Sequence, residues 1–337
     1  MYSLFLRITV LVALSVVFAA SAAFAAGSSK PAEVRLAYLN GPRPWILGKA
    51  DGSLQKALAV PVKWVNFASG PDALKAVAAG EIDIARAGSV PVAAALARKL
   101  PIEIIAVSGV IDSSERLIAR KDITSVKGLE GRTVTYPPGS TAHYALLAAL
   151  NVYGADASKV KQAPLKPADE LAAWKRGDVD AAYVWGPFSN QLEAEGGHEL
   201  LKSGQLQKDG YYLFNVYVVS KKFAASYPDT VSAFLRAFRD TVNRYKADPD
   251  AAAKSIAAEL GQDAAAAKQT LAGLEFPDLK EQLDTKWLGL GKSESGISKS
   301  FADTARFLVN LGELSRRDLP SSFAPFINSA FIAAAVR

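Results

Sequence analysis

The chain has 337 residues, 50% of them apolar and 21% charged, with a net charge of +6 at neutral pH, two histidines and no cysteine. The absent thiol excludes disulfides, thiol catalysis, thiolate metal sites and the lipidated cysteine that tethers many exported bacterial proteins; His143 and His198 are too few for a His-rich metal centre, although carboxylate sites stay open. The basic residues are scattered, so their excess reads as a mild preference for anions and not as a nucleic-acid footprint.

Residues 1–25 carry one basic residue, Arg7, then an apolar run from Ile8 to Phe18, then small residues ending in Ala23-Phe24-Ala25. That order is expected of a secretory signal peptide cleaved after Ala25, and its many alanines and serines argue against a membrane anchor. No later stretch is long and apolar enough to span a bilayer. The remaining chain, about 310 residues, exceeds what one compact core usually holds, so two lobes are expected.

Val34 to Leu39 alternates as a first strand and runs into Asn40-Gly41-Pro42-Arg43-Pro44-Trp45, a stiff loop at the place where open α/β sheets put ligand contacts. Trp45 suits either that role or a plug over the core. Val62 to Phe67 reads as a strand, Pro71 to Ala79 as a helix, and Glu81 to Ala85 as a strand again. That strand delivers the chain to Gly88 and Ser89, where the hydroxyl can cap a helix running to about Lys99.

Ile102 to Val110 is a predicted strand, Ile111 to Glu115 a loop, and Leu117 to Arg120 the strand expected to leave the first lobe. Next comes the most informative stretch, Tyr136-Pro137-Pro138-Gly139-Ser140-Thr141-Ala142-His143. It reads as strand, tight turn and helix, with Ser140 or Thr141 offering a cap and Gly154 closing the helix. Such a helix start presents free N–H groups and a positive dipole end, which suits a carboxylate, phosphate, sulfonate or nitrate. An ordinary capped helix fits the same residues.

An internal echo links the two halves: Ala79-Gly80-Glu81-Ile82-Asp83-Ile84-Ala85 is matched by Arg176-Gly177-Asp178-Val179-Asp180-Ala181-Ala182, each after a short helix and each ending at a loop. The second loop carries Trp185. Two lobes of similar design would produce this repetition. Leu213 to Ser220 is the predicted return strand, with Asn215 near its start. Beyond Lys221 the pattern is mainly helical, over Pro228 to Ala247, Asp250 to Leu260, Ala264 to Leu274 and Lys299 to Leu311, as outer cover for the first lobe.

Several blocks together resemble the periplasmic taurine-binding proteins of ABC importers, within the wider sulfonate and nitrate binders. They are Phe67-Ala68-Ser69-Gly70, Ala78-Ala79-Gly80-Glu81-Ile82-Asp83-Ile84, Gly88-Ser89 with Pro91, Thr141-Ala142-His143-Tyr144, Ala172-Ala173-Trp174-Lys175-Arg176-Gly177-Asp178-Val179-Asp180, and Tyr183-Val184-Trp185. The resemblance implies a two-lobed periplasmic binding protein of the type 2 α/β class, each lobe a small mixed sheet flanked by helices. It implies a monomer without cofactor or metal, not an enzyme, that takes a small sulfonate between closing lobes and docks on an ABC permease.

The expected division is a leader over 1–25, a first lobe from 26–120 and 221–315, a second lobe over 121–220, and a C-terminal tail over 316–337, with hinges near Arg120-Lys121 and Val219-Ser220. Carried over by position, Gly88-Ser89 and Ser140-Thr141-Ala142-His143 would hold the sulfonate through N–H and hydroxyl donors. For His143, a local hydrogen-bonding role at the helix start is an equal alternative. Trp185 would pack on the alkyl chain or face an ammonium, and Glu115 matches a glutamate of the family's corresponding loop. Taurine binders of this kind carry an aspartate where this chain has Asn215, and a buried ammonium wants a carboxylate. An amine-free alkyl or aryl sulfonate, or another small anion, is therefore the alternative ligand. A sensory adaptor and an enzyme on the same scaffold are the alternative roles.

Overall fold

The computed structural model describes residues 30–337. The expected leader and its cleavage site at Ala25 lie outside the described residues. In chain order the strands are β1 (Val34–Leu39), β2 (Val62–Phe67), β3 (Ile84–Gly88), β4 (Ile102–Ile111), β5 (Glu115–Ala119), β6 (Thr133–Tyr136), β7 (Lys161–Pro164), β8 (Ala181–Trp185), β9 (His198–Lys202), β10 (Phe214–Ser220) and β11 (Leu274–Glu275).

They form two sheets, one of six strands in the order β11-β4-β10-β3-β1-β2 and one of five in the order β7-β6-β8-β5-β9. In the first, β1 runs parallel to β2 and β3, and β10 lies antiparallel between β3 and β4. In the second, β6 runs parallel to β7 and β8, and β5 lies antiparallel between β8 and β9. The central strands are buried on both faces beneath helices, which is why β4 and β8 read as continuous apolar runs without strict alternation.

The internal echo is a structural repeat. Asp83 Oδ2 accepts from the Arg35 amide at 2.7 Å, and Asp180 Oδ2 accepts from the Thr133 amide at 2.8 Å. Each aspartate thus ties the approach to the sheet's third strand to the start of its first. A carboxylate on a backbone N–H satisfies a donor that the ladder leaves free at that corner.

The strand membership moves the crossings away from the expected hinges. Strand β5, read in the sequence as leaving the first lobe, hydrogen-bonds inside the second sheet, and Arg120 N donates to Asp180 O there. Val219-Ser220 ends β10, well inside the first sheet. The chain therefore passes between sheets at Asp112–Ser114 and returns between Lys202 and Phe214. A short apolar strand carries no mark of its sheet, because pairing is decided by distant partners. The two crossings touch, since a Cβ on Gly204 would collide with Asp112, and the end of the helix Ala264–Ala272 packs on the first of them, where a Cβ on Gly273 would collide with the backbone of Ser113 and Ser114.

Helices after Lys221 cover the first sheet, as expected, over Pro228–Ala247, Pro249–Leu260, Ala264–Ala272 and Gly296–Asn310. The C-terminal stretch, expected as a tail, continues this cover: Phe323 and Ile332 are buried, and Asn328 N donates to Ile104 O at 2.8 Å. Two short helices that the sequence pattern missed, Ile46–Ala50 and Ser53–Leu58, join β1 to β2. Trp45, just before them, is a core plug, buried against Trp64, Tyr217 and Phe234.

Candidate functional site

Both sheets point the carboxyl ends of their parallel strands at a common crevice, the position where open α/β sheets bind ligands. The loop after β1 brings Gly41 and Arg43, the end of β3 brings Arg86, Ala87 and Gly88, and the turn after β6 brings Ser140 and Thr141. Trp185 ends β8, while the antiparallel strands contribute their first residues or nearly so, Glu115 on β5 and Asn215 on β10. The cavity between them measures about 40 Å³, which is room for only a few water molecules. It suits a small solute.

Two arginines dominate its electrostatics. Arg43 and Arg86 are each 6% exposed, and burial pulls both guanidinium groups down from their usual range, Arg86 to about 10. Arg43 is lowered further by the like charge of Arg86. Both stay protonated at neutral pH, as arginine does. Arg43 donates to the carbonyl of its neighbour Pro42. Its Nε, and the Nε and Nη2 of Arg86, have no hydrogen-bond partner among the described residues.

Glu115 is the carboxylate of this cavity, 2% exposed. Thr141 Oγ1 donates to its Oε2 at 2.6 Å and Ser203 Oγ to its Oε1 at 3.3 Å, with the Tyr183 hydroxyl 3.1 Å from Ser203 Oγ. Burial pushes its carboxyl up to about 7, against the pull of those hydroxyls and of Arg43 and Arg86.

The expected helix starts are both present. Gly88 caps the helix Ser89–Ala97, and Ser140 caps the helix Thr141–Val152 by accepting from His143 N at 3.2 Å. They approach closely, since a Cβ on Gly88 would stand 2.8 Å from the Thr141 methyl. Ser89 Oγ is buried with no partner among the described residues, and so is Asn215 Nδ2, opposite Gly88 in the β10–β3 register.

Not every expected residue reaches the cavity. Ala142 is buried behind it on the helix, and His143 faces the other way, toward a groove with Pro138, Leu308 and Glu313. Its ring stacks on Tyr136 at 4.3 Å, and Nδ1 accepts from Gly139 N at 3.4 Å. Burial lowers the His143 pKa, so the ring is held in its neutral form. The sequence reading missed both arginines. Arg86 had a signal: it stands in Ile84-Ala85-Arg86-Ala87-Gly88, an apolar strand whose small neighbours leave room for a long side chain.

A family model described as NMT1/THI5 like matches residues 58–252. The chain belongs to the NMT1/THI5-like family. It is 32% identical to the taurine-binding periplasmic protein of Escherichia coli K12, over 93% of this chain and 97% of that one. Among solved structures it is similar to the alkanesulfonate-binding protein SsuA of Xanthomonas axonopodis pv. citri bound to MOPS, with a TM-score of 0.72 at 22% identity over 89% of this chain and 99% of that one. The desulfurization enzyme DSZB follows at a TM-score of 0.64 and 15% identity, over 91% and 99%. These likenesses show the fold: two mixed sheets flanked by helices in the periplasmic-binding-protein arrangement, as the sequence predicted, on a scaffold that a binding protein and an enzyme share.

Proposed function

We propose that this family member is the periplasmic solute-binding component of an ABC importer, capturing a small sulfonate between two lobes and delivering it to a membrane permease. The carrying observation is the pair of buried arginines at a small inter-sheet cavity, in a chain that matches a taurine-binding periplasmic protein along nearly its whole length. A sulfonate stays anionic at every physiological pH and offers three acceptors, which suits fixed guanidinium and N–H donors. The lobes of this reading are residues 30–111 with 214–337, and 115–202, flexing at the two crossings. Gly88, Ser89, Thr141, Trp185 and Asn215 line or back the ligand, and Glu115 positions Thr141.

How the cavity's groups are engaged supports capture rather than catalysis. The Ser140 hydroxyl donates to Pro137 O and the Thr141 hydroxyl to Glu115, while the His143 imidazole faces away. Calorimetric titration of the chain from Ala26 with ethanesulfonate tests the reading, with the ligand recovered afterwards. Saturable one-to-one binding and intact ligand are expected; chemical conversion would favour the enzyme, and absence of binding would remove the sulfonate.

A further inference from the structure

Charge balance in the cavity carries the identification of the ligand further. The first-sheet side supplies Arg43, Arg86 and Asn215, whose Nδ2 has no partner among the described residues; Ser89 lies buried behind the lining. It supplies no carboxylate among the residues that line the cavity. The second-sheet side supplies one, Glu115, whose two oxygens already accept from Thr141 and Ser203 and which feels both arginines without a hydrogen bond to either. The Nε and Nη2 of Arg86 have no hydrogen-bond partner among the described residues. Two guanidinium ions thus face a space with, at most, one negative charge set back behind hydroxyls.

Burying a cation without a counter-ion costs several kcal/mol, and the natural counter-ion at a binding cleft is the ligand. One sulfonate can touch both guanidinium groups but brings a single negative charge, so with the Glu115 carboxyl protonated one cation stays uncompensated. An ammonium, as on taurine, would enter beside two like charges and opposite an amide at Asn215, which cannot neutralise it. Trp185 offers an apolar wall for a short linker between polar ends.

We propose that the ligand is a small amine-free dianion, a sulfonate and a carboxylate on a short alkyl chain, with one arginine for each anionic group. This rests on the sulfonate-binding reading above. Arginine is suited to both ends because its planar fork matches carboxylate and sulfonate oxygens in pairs, and a point-charge lysine would discriminate less.

The test is calorimetry of the chain from Ala26 with sulfoacetate, ethanesulfonate, taurine and succinate under one buffer. Sulfoacetate is expected to bind at least about tenfold more tightly than ethanesulfonate, as one added charge-assisted pair implies, with taurine weakest of the sulfonates. Arg43→Gln or Arg86→Gln should close that gap, with thermal unfolding confirming that each variant is folded; Arg43→Lys should restore it in part. Taurine or ethanesulfonate equal to or tighter than sulfoacetate would overturn the dianion while leaving sulfonate capture standing. A gap untouched by either arginine variant would overturn it too. Succinate alone binding would keep the two-anion site and remove the sulfonate, and silence from all four would remove both.

Discussion

The two halves of the molecule share one strand order and opposite chemistry. β2-β1-β3-β10-β4 and β7-β6-β8-β5-β9 match in order and sense, down to the aspartates Asp83 and Asp180 at the same corner. Yet the first half lines the cavity with guanidinium, amide and helix-start donors, and the second with a carboxyl, hydroxyls and an indole. The scaffold fixes where ligand-facing positions fall; the side chains at those positions divide the work. On the proposed reading, the first half recognises charge and the second shapes and closes the space.

Removing charge from the first half should have the largest effect. Arg86→Leu is expected to weaken anion binding by about 100-fold or more, the order found when one partner of a buried charge pair is truncated. Stability should hold or rise, because the unliganded protein loses an uncompensated buried cation. Titration calorimetry and thermal unfolding read the two effects. Equal losses in both would show that Arg86 serves the fold and not the ligand.

The comparison also depends on the crossings that hold the halves in register. Gly273 sits at φ −82°, so its lack of a side chain is a matter of space: its carbonyl accepts from Asp112 N at 3.1 Å and Ser114 N at 3.0 Å, with backbone packed where a Cβ would stand. Gly273→Ala is expected to cost about 1–3 kcal/mol by overpacking, and to lower the melting temperature by several degrees. Ligand affinity should fall with it, since Ser114 lines the cavity next to Glu115.

The second half's carboxyl makes the difference between the halves dependent on pH. Glu115, pushed up to about 7, is faced by Arg43 from the loop after β1, Arg86 from β3, Thr141 and Ser203, with Tyr183 behind Ser203. A dianion bound nearby raises this carboxyl further, so binding takes up a proton and affinity falls as pH rises through about 7. From pH 6 to 8, where sulfoacetate is fully ionised, its affinity should drop by up to about tenfold, measured by calorimetry in buffers of different ionisation enthalpy. Taurine should show the reverse slope, because an ammonium favours the ionised carboxylate. Glu115→Gln should flatten both.

Much of this scaffold was legible in the sequence because its signals are local. Gly88-Ser89 and Ser140-Thr141 announce helix starts through cap chemistry, and the repeated Gly-acid-apolar-Asp segments announce two similar units. The sheet that β5 joins was not legible, since that depends on β8 and β9, some 65–85 residues away. Nor were Arg43 and Arg86, because an arginine is usually exposed and only the packed crevice shows that these are not. Asn215 does line the cavity, and the first-sheet residues around it include no acid.

His143 marks the smallest expected effect and separates a residue near the site from one in it. Family resemblance assigned it to the anion with Thr141, two positions earlier on the same helix. Two residues along a helix turn a side chain by about 200°, so neighbours of a cavity-facing group point away from it. His143 accordingly stacks on Tyr136 with ring planes 7° apart and lines a neighbouring groove, not the cavity that Arg86 lines. His143→Ala should change ligand affinity by less than about twofold, whereas losing the aromatic pair should cost about 1 kcal/mol of stability. The two measurements must move independently for the division of labour to hold. A His143→Ala variant that keeps its melting temperature but loses the ligand would bring the second half's helix start back into anion recognition, and would make the halves partners in charge instead of opposites.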